Sequence, residues 1–318
     1  MVVGFKDKRT LNPKTGLMQV TLDAPENICL YDEYFNETVL FLAKLDKIER
    51  TPKIQIILEM RDVIYISAGA ITKLFNAVAE RQLYISPSHV VVNLPIDKNI
   101  RELLRTNGFI KAVMQGGKGK LEALWESSNF VCGSQRDITM FLQKIRALAK
   151  RETLPNHLGV AIKESLINVN HHAYAASSKP ETTWWSYIYV GTEGDRQYLA
   201  TVIVDNGKGI ANSIRPHVYE LTKVKDNRWV HGDGFCIKTA MQESVTSTHE
   251  PGRGKGSEDI KRPVLVKSVL GQHHLLVLSG SGKYTYEIDE NGEIQEQFEE
   301  LEHRCTGTLI EWFLYFEE

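Results

Sequence analysis

Residues 157–174 read HLGVAIKESLINVNHHAY. Leu158, Ile162, Leu166, Val169 and Ala173 recur every three or four positions, which predicts an amphipathic helix. Glu164 and Asn168 are four residues apart, share a face away from most of that stripe, and are followed on it by His172. A carboxylate beside an amide can hold a water and a metal-bound phosphate oxygen. Such residues are also common on solvated helix faces, so the pair alone leaves both readings open.

Downstream, YLATVIVDNGKGI (198–210) is an apolar strand that ends on Asp205, with Gly207, Gly209 and Ile210 after it. A carboxylate at a strand end can accept a hydrogen bond from an exocyclic amine, and the glycines let backbone pass close to a flat ligand. Asp-Asn-Gly is equally strong turn chemistry. EPGRGKGSEDIKR (250–262) alternates Gly252, Gly254 and Gly256, with Arg253 and Lys255 between them. Ser257 is placed to cap a short helix carrying Glu258 and Asp259. A glycine loop that feeds a helix N-terminus offers N–H groups to phosphates, although a surface loop looks the same. It is not a Walker loop, because GxxxxGK[ST] is absent here and at SGSGKYT (279–285). Finally, CTGTLIEWFL (305–314) opens a strand on Gly307-Thr308.

Taken in order, the ExxxN helix, the DxGxG strand end, the GxGxG loop and the GT strand resemble the Bergerat-fold (GHKL) ATPase superfamily over residues 135–316. That superfamily includes histidine kinases, type II topoisomerases and mismatch-repair ATPases. The segment ESLINVNHHAY is most similar to the anti-sigma-factor serine kinases. The resemblance implies ATP and Mg²⁺ as cofactors. By position it makes Glu164 the general base and Asn168 the Mg²⁺ ligand. It gives Asp205 the adenine amino group, with Gly207, Gly209 and Ile210 around the purine. Gly252, Gly254, Lys255 and Gly256 fall at the phosphates, and Thr308 on the adenine side. Phosphoryl transfer needs chiefly positioning and charge neutralisation, which such a set supplies. Two departures stand out. The segment between the two glycine motifs is long, and SEDIKR follows the loop where the family often has a Gly-Leu start to a more apolar helix.

The region 211–250 reads as irregular or helical, and 211–256 as a lid that nucleotide orders. Strands are expected at 183–190, 197–204, 263–269, 274–279, 283–288 and 294–298, with an Asn291-Gly292 hairpin turn and a last strand TLIEWFLYF. Helices are expected at 136–150 and 155–174.

In the first half, KIQIILEM (53–60), VIYI (63–66) and HVVVNL (89–94) read as strands. Residues 68–81 and 97–107 read as helices, the latter between a capping Asp97 and Gly108. ILEMRDVIYISAGAITKL (57–74) and VVVNLPIDKNIRELLRTNGF (90–109) resemble the STAS-like domains of anti-sigma-factor antagonists. The serine such domains present for phosphorylation falls at Ala68, one residue after Ser67, so phosphorylation is left unassigned. GGKGK (116–120) reads as a flexible break, and 121–135 fits no element clearly. The expected architecture is α/β throughout: a STAS-like regulatory or interaction domain at 1–130, then a Bergerat-type α/β sandwich at 131–318.

Composition bounds the alternatives. The 318 residues carry net charge −2, which argues against a general electrostatic grip on nucleic acid. Cys29, Cys132, Cys236 and Cys305 are scattered, as in reduced thiols rather than a disulfide or zinc framework. His171-His172 and His273-His274 lack a third ligand at zinc spacing. No apolar run is long enough to span a membrane and the start carries no signal-peptide core, which points to the cytoplasm. The expected function is an ATP-driven switch acting by ATP hydrolysis or serine/threonine phosphorylation on a partner protein. The alternatives are a non-catalytic ATP-sensing interaction module and a nucleic-acid-processing subunit. A homodimer is compatible with the sequence.

Overall fold

Three short runs of β-branched residues build the first sheet. In this computed structural model, which describes residues 8–222, 232–242, 256–265, 273–289 and 291–316, the chain is mixed α/β and divides into two units, Met1–Val131 and Cys132–Glu318. In the first unit β1 (Lys8–Leu11) pairs antiparallel with β2 (Met18–Asp23). A small second sheet pairs β3 (Asn27–Ile28) with β5 (Tyr65–Ile66). The main sheet runs β1-β2-β4-β6, with β4 (Ile54–Glu59) and β6 (Val90–Asn93) parallel to β2. Val20, Ile56 and Val90 lie side by side across it and are fully buried. The α-helices among its described residues are α1 (Phe35–Lys47), α2 (Ala68–Tyr84), α3 (Lys98–Thr106), α4 (Phe109–Val113) and α5 (Lys118–Ser127).

Local chemistry sets the helix ends. Asp97 caps α3 by accepting from the Asn99 and Ile100 N–H groups at 2.9 and 3.0 Å. Gly108 has φ +85, and a Cβ there would meet the Ser128 hydroxyl. GGKGK is not a flexible break: Lys118 opens α5, and the Lys120 ammonium donates to the carbonyls of Ala112 and Met114 at the end of α4. VIYI yields only the two-residue β5, because the Val63 N–H closes a turn onto the Met60 carbonyl at 3.1 Å.

β7 (Phe130–Gly133) spans the boundary, and the second unit continues through α6 (Ile138–Ala149) to α7 (Leu158–Asn168). One π-helical turn, Val169–Ala173, follows. Then come β8 (Trp184–Glu193), β9 (Arg196–Asp205), α8 (Ile210–Thr222), α9 (Asp233–Gln242), α10 (Gly256–Leu265), β10 (His274–Ile288) and β11 (Ile294–Tyr315). The sheet order is β10-β11-β9-β8-β7, and the β8–β9, β9–β11 and β10–β11 pairs are antiparallel. The separate strands expected at 274–279 and 283–288, and at 294–298 and 308–316, are instead continuous parts of two long strands. The Gly280–Gly282 segment is a β-bulge, with register shifts on both sides, and not a strand end. The Asn291-Gly292 turn joins them, with Gly292 at φ +79 and Ile288 opposite Ile294. The strand expected at 263–269 is corrected in its first part. Residues 263–265 continue α10, whose buried Ile260, Pro263 and Val264 follow helical spacing, and residues 266–269 lie outside the described ones.

Among the described residues no helix is long and apolar enough to cross a membrane. Arg81 gives the first unit an unusual internal anchor. It is fully buried, and its Nη2 donates to the carbonyls of Leu45, Asp46 and Ile48 at 2.8, 3.3 and 3.2 Å, closing the C-terminus of α1. Arg81→Met should leave those carbonyls without a donor and lower the urea unfolding midpoint by the equivalent of about 1–3 kcal/mol. An unchanged midpoint would reject this account of the helix end.

Candidate functional site

The apolar residues of β9 bury the strand so completely that its last residue, Asp205, is only 4% exposed. A carboxylate there needs donors, and the Gly207 N–H supplies one at 2.7 Å to Oδ1. Across the ladder Thr308 of β11 lies directly opposite Asp205. Gly307, just before it, has φ +68, and a Cβ at that position would come 1.9 Å from the Asp205 carbonyl oxygen. Only glycine permits this approach.

Ser279 of β10 ties these strand ends together. Its hydroxyl donates to the Gly307 carbonyl at 3.1 Å and accepts from the Ile210 N–H at 2.9 Å. It also stands 3.2 Å from the Thr308 hydroxyl. Gly209, at φ +84, turns the loop so that a Cβ would meet the Ser279 hydroxyl at 2.8 Å. Asp205, Gly207, Gly209, Ile210, Gly307 and Thr308 therefore converge. The sequence does not single out Ser279, because SGSGKYT carries no more than an incomplete Walker pattern. Its signal in the sequence is slight: a serine ahead of a bulge glycine.

The helix face forms the other side. Glu164 is half-buried and Asn168 exposed, one turn apart on α7. Gly256 opens α10, and a Cβ there would lie 3.5 Å from Glu164 Oε2 and 3.9 Å from Asn168 Nδ2. The N-terminal turn of α10 thus faces the carboxylate–amide pair. Ser257 sits inside the helix instead of capping it, while Glu258 and Asp259 occupy its first turn as expected. Trp312 of β11 fixes α10 by donating from Nε1 to the Ile260 carbonyl at 2.9 Å. Gly252, Arg253, Gly254 and Lys255 lie outside the described residues.

The π-helical turn joins the two sides. It carries the chain from Asn168 to Ala173 and Tyr174, where the Ala173 carbonyl accepts from the Lys208 N–H at 2.8 Å. Gly207 packs so tightly on Ala173 that a Cβ would come within 2.4 Å of the alanine methyl. The Tyr174 hydroxyl accepts from the Asn206 N–H at 2.9 Å.

Between the glycine motifs, α8 and α9 replace a uniform lid. Arg215 of α8 pairs with Asp233, which also accepts from the Ser281 N–H at 2.8 Å. Glu300 of β11 accepts from the Gly234 and Phe235 N–H groups at the start of α9, at 2.7 and 3.3 Å. Burial pushes the Glu300 carboxyl above the usual carboxylate range, against the pull of those N–H donors. Residues 223–231 and 243–255 of the expected lid lie outside the described ones.

In the first unit Ser67 is 5% exposed, and its hydroxyl accepts from the Leu30 N–H at 3.2 Å. Ala68 begins α2 directly after it.

The residues can be tested against an adenine nucleotide with Mg²⁺. Asn206 Nδ2, on the residue after Asp205, is buried with no hydrogen-bond partner, which leaves an unused donor. The Cβ-free start of α10 stands over the Glu164–Asn168 pair. Side-chain oxygens of this kind suit Mg²⁺, which keeps several waters and shares its shell with substrate phosphates instead of a protein cage. Among the described residues no group of three or more His, Cys, Asp and Glu side chains is arranged as such a cage. The set fits.

Searches of the sequence against protein-family models and curated proteins returned no significant match.

The Gly307 contact can be checked directly. Gly307→Ala should cost on the order of 2–4 kcal/mol through strain and collision with the Asp205 carbonyl. Gly292→Ala, with φ +79 but nothing within 4 Å of its Cβ, should cost only about 1–2 kcal/mol. Equal melting temperatures for the two variants would reject the steric argument.

Proposed function

We propose that this protein binds Mg-ATP in a Bergerat-type site in its second unit, and that it is an ATP-driven regulatory protein. The observation that carries the reading is the convergence of the strand-end cluster at Asp205 with the Glu164–Asn168 face, joined by a single π-helical turn. Scattered surface residues or an ordinary turn would not require so many close contacts at glycine.

In this reading the Asp205 carboxylate accepts the adenine amino group, and Gly207, Gly209 and Ile210 flank the purine. Thr308 serves the adenine side. Asn168 holds Mg²⁺ through its side-chain oxygen. Bound Mg²⁺ supplies charge neutralisation at the transferred phosphoryl group. The N–H groups of α10 from Gly256 face the phosphates, with Gly252, Gly254 and Lys255 preceding them. Glu164 takes the proton from the attacking hydroxyl, which belongs either to water, giving ATP hydrolysis, or to a serine or threonine of a partner protein. Its position beside Asn168 favours an enzyme over a purely sensing module. The first unit would serve as the STAS-like regulatory half that engages the partner.

Calorimetric titration with ATP, with and without Mg²⁺, tests the core of the proposal. Asp205→Asn should weaken ATP binding roughly 5- to 150-fold and narrow the preference over GTP, because a buried polar group loses its match. Asn168→Ala should remove the dependence on Mg²⁺. Glu164→Gln should keep ATP affinity while phosphate release or phosphotransfer falls on the order of 10²- to 10⁴-fold. A folded Asp205→Asn variant with unchanged affinity would overturn the adenine assignment.

Nucleotide should also protect the segment around 211–256 against proteolysis. Trypsin cleavage at Lys223, Lys225 and Arg228 should slow with a non-hydrolysable ATP analogue more than with ADP, since the γ-phosphate adds acceptors for loop N–H groups. Identical cleavage rates without nucleotide, with ADP and with the analogue would end the switch, though not the binding.

A further inference from the structure

Three successive backbone N–H groups after Asp205 each have a different acceptor. Asn206 N donates to the Tyr174 hydroxyl at 2.9 Å, Gly207 N to Asp205 Oδ1 at 2.7 Å, and Lys208 N to the Ala173 carbonyl at 2.8 Å. Only the first of these acceptors is a side chain from outside the loop. The Tyr174 hydroxyl is itself oriented, because it donates to the Thr183 carbonyl at 3.0 Å. Thr183 is 1% exposed, and its own N–H donates to the Gly133 carbonyl at 2.9 Å, so the chain of bonds ends on β7.

From this geometry we infer that Tyr174 is a positioning residue that aims the Asp205 carboxylate, and so sets the selectivity of the site for a 6-amino purine over a 6-oxo purine. The inference rests on the nucleotide reading above. Tyr174 does not touch the ligand in this account. Its hydroxyl fixes the peptide between Asp205 and Asn206, and that peptide fixes both the carboxylate on one side and the buried Asn206 amide on the other. Without the hydroxyl, the Asn206 N–H and the Thr183 carbonyl lose a shared partner, and the Asp205–Asn206 peptide loses a restraint that also holds the adjoining Gly207 bond to Asp205 Oδ1 in line. The consequence falls on the direction of one carboxylate, with the rest of the sheet untouched.

The test is the affinity ratio for ATP over inosine triphosphate, measured by titration with Mg²⁺ on the full chain. The unaltered protein should prefer ATP. Tyr174→Phe keeps the ring and should reduce that preference about 3- to 10-fold, chiefly by weakening ATP, while inosine triphosphate affinity changes less than about twofold. Asp205→Asn combined with Tyr174→Phe should show no further loss of preference beyond Asp205→Asn alone. An undiminished preference in Tyr174→Phe would overturn the positioning role and leave the ATP site standing. An equal loss for both nucleotides would make Tyr174 a structural residue only. Failure of the unaltered protein to bind ATP would overturn the nucleotide reading and this inference with it. Hydrogen exchange on the unaltered protein gives an independent measure should Tyr174→Phe not fold. The Asn206 amide should be protected without nucleotide, and exchange at the rate of an open loop would refute the bond on which the inference stands.

Discussion

The close approach of Gly307 to the Asp205 carbonyl is the constraint on which the rest of the second unit's site depends. β11 must start its pairing with β9 at Thr308, opposite Asp205, and the residue before it must curl through φ +68 against the end of β9. A side chain there would have to occupy the carbonyl oxygen's own space. β11 would be driven away, Ser279 would lose the Gly307 carbonyl, and the Ile210 N–H would lose its fixed acceptor. The strand end, the glycine turn and the start of α8 are thus one hydrogen-bonded object, held together by a missing methyl group.

The π-helical turn at Val169–Ala173 extends that object to the helix face. A regular α-helix would carry Ala173 and Tyr174 round at 3.6 residues per turn, whereas the wider turn changes where they emerge. They emerge against Gly207 and Asn206, and the face bearing Glu164 and Asn168 is thereby set relative to the strand end. Such turns concentrate at functional sites because an α-helical segment gives up regular hydrogen bonds to form one. Here the return is visible in the Lys208 and Asn206 bonds.

Much of this arrangement was legible in the residues. The 3.6 period located α7 and put Glu164 and Asn168 on one face, because burial of Leu158, Ile162 and Leu166 leaves little freedom in the helix's rotation. The Asp97 cap and the Asn291-Gly292 turn were legible for the same reason: their chemistry is local. What escaped was set by distant partners. Ser279 matters only because β10 brings it beside Gly307, and Glu300 and Asp233 only because the β10–β11 hairpin meets the start of α9. PVL in 263–265 reads as the apolar opening of a strand, yet burial of Ile260, Pro263 and Val264 at helical spacing keeps it helical. β2 carries a legible local signal, since MQVTLD alternates apolar and polar residues and buries Val20 and Leu22, whereas β1 (KRTL) is exposed throughout and carries none. GGKGK looked flexible from its glycines, but Lys120 has fixed acceptors at the end of α4.

One strand governs the separation between the two sides of the candidate site. Thr308 stands opposite Asp205, and Trp312, four residues along β11, holds α10 through the Ile260 carbonyl. Both point to the same face of the sheet, and the strand's rise separates them by about 13 Å. The pairing of β11 with β9 is continuous between these two residues, so neither can slide without the other. Truncating the Trp312 indole, with the register kept, would release the Ile260 carbonyl of α10 while leaving the Thr308–Asp205 pair in place. In the proposed reading this separates the adenine side from the phosphate side physically as well as chemically. The first is built on strand ends hydrogen-bonded to one another, whereas the second is carried on α10, which is held by the Trp312 indole and by the burial of Ile260, Pro263 and Val264.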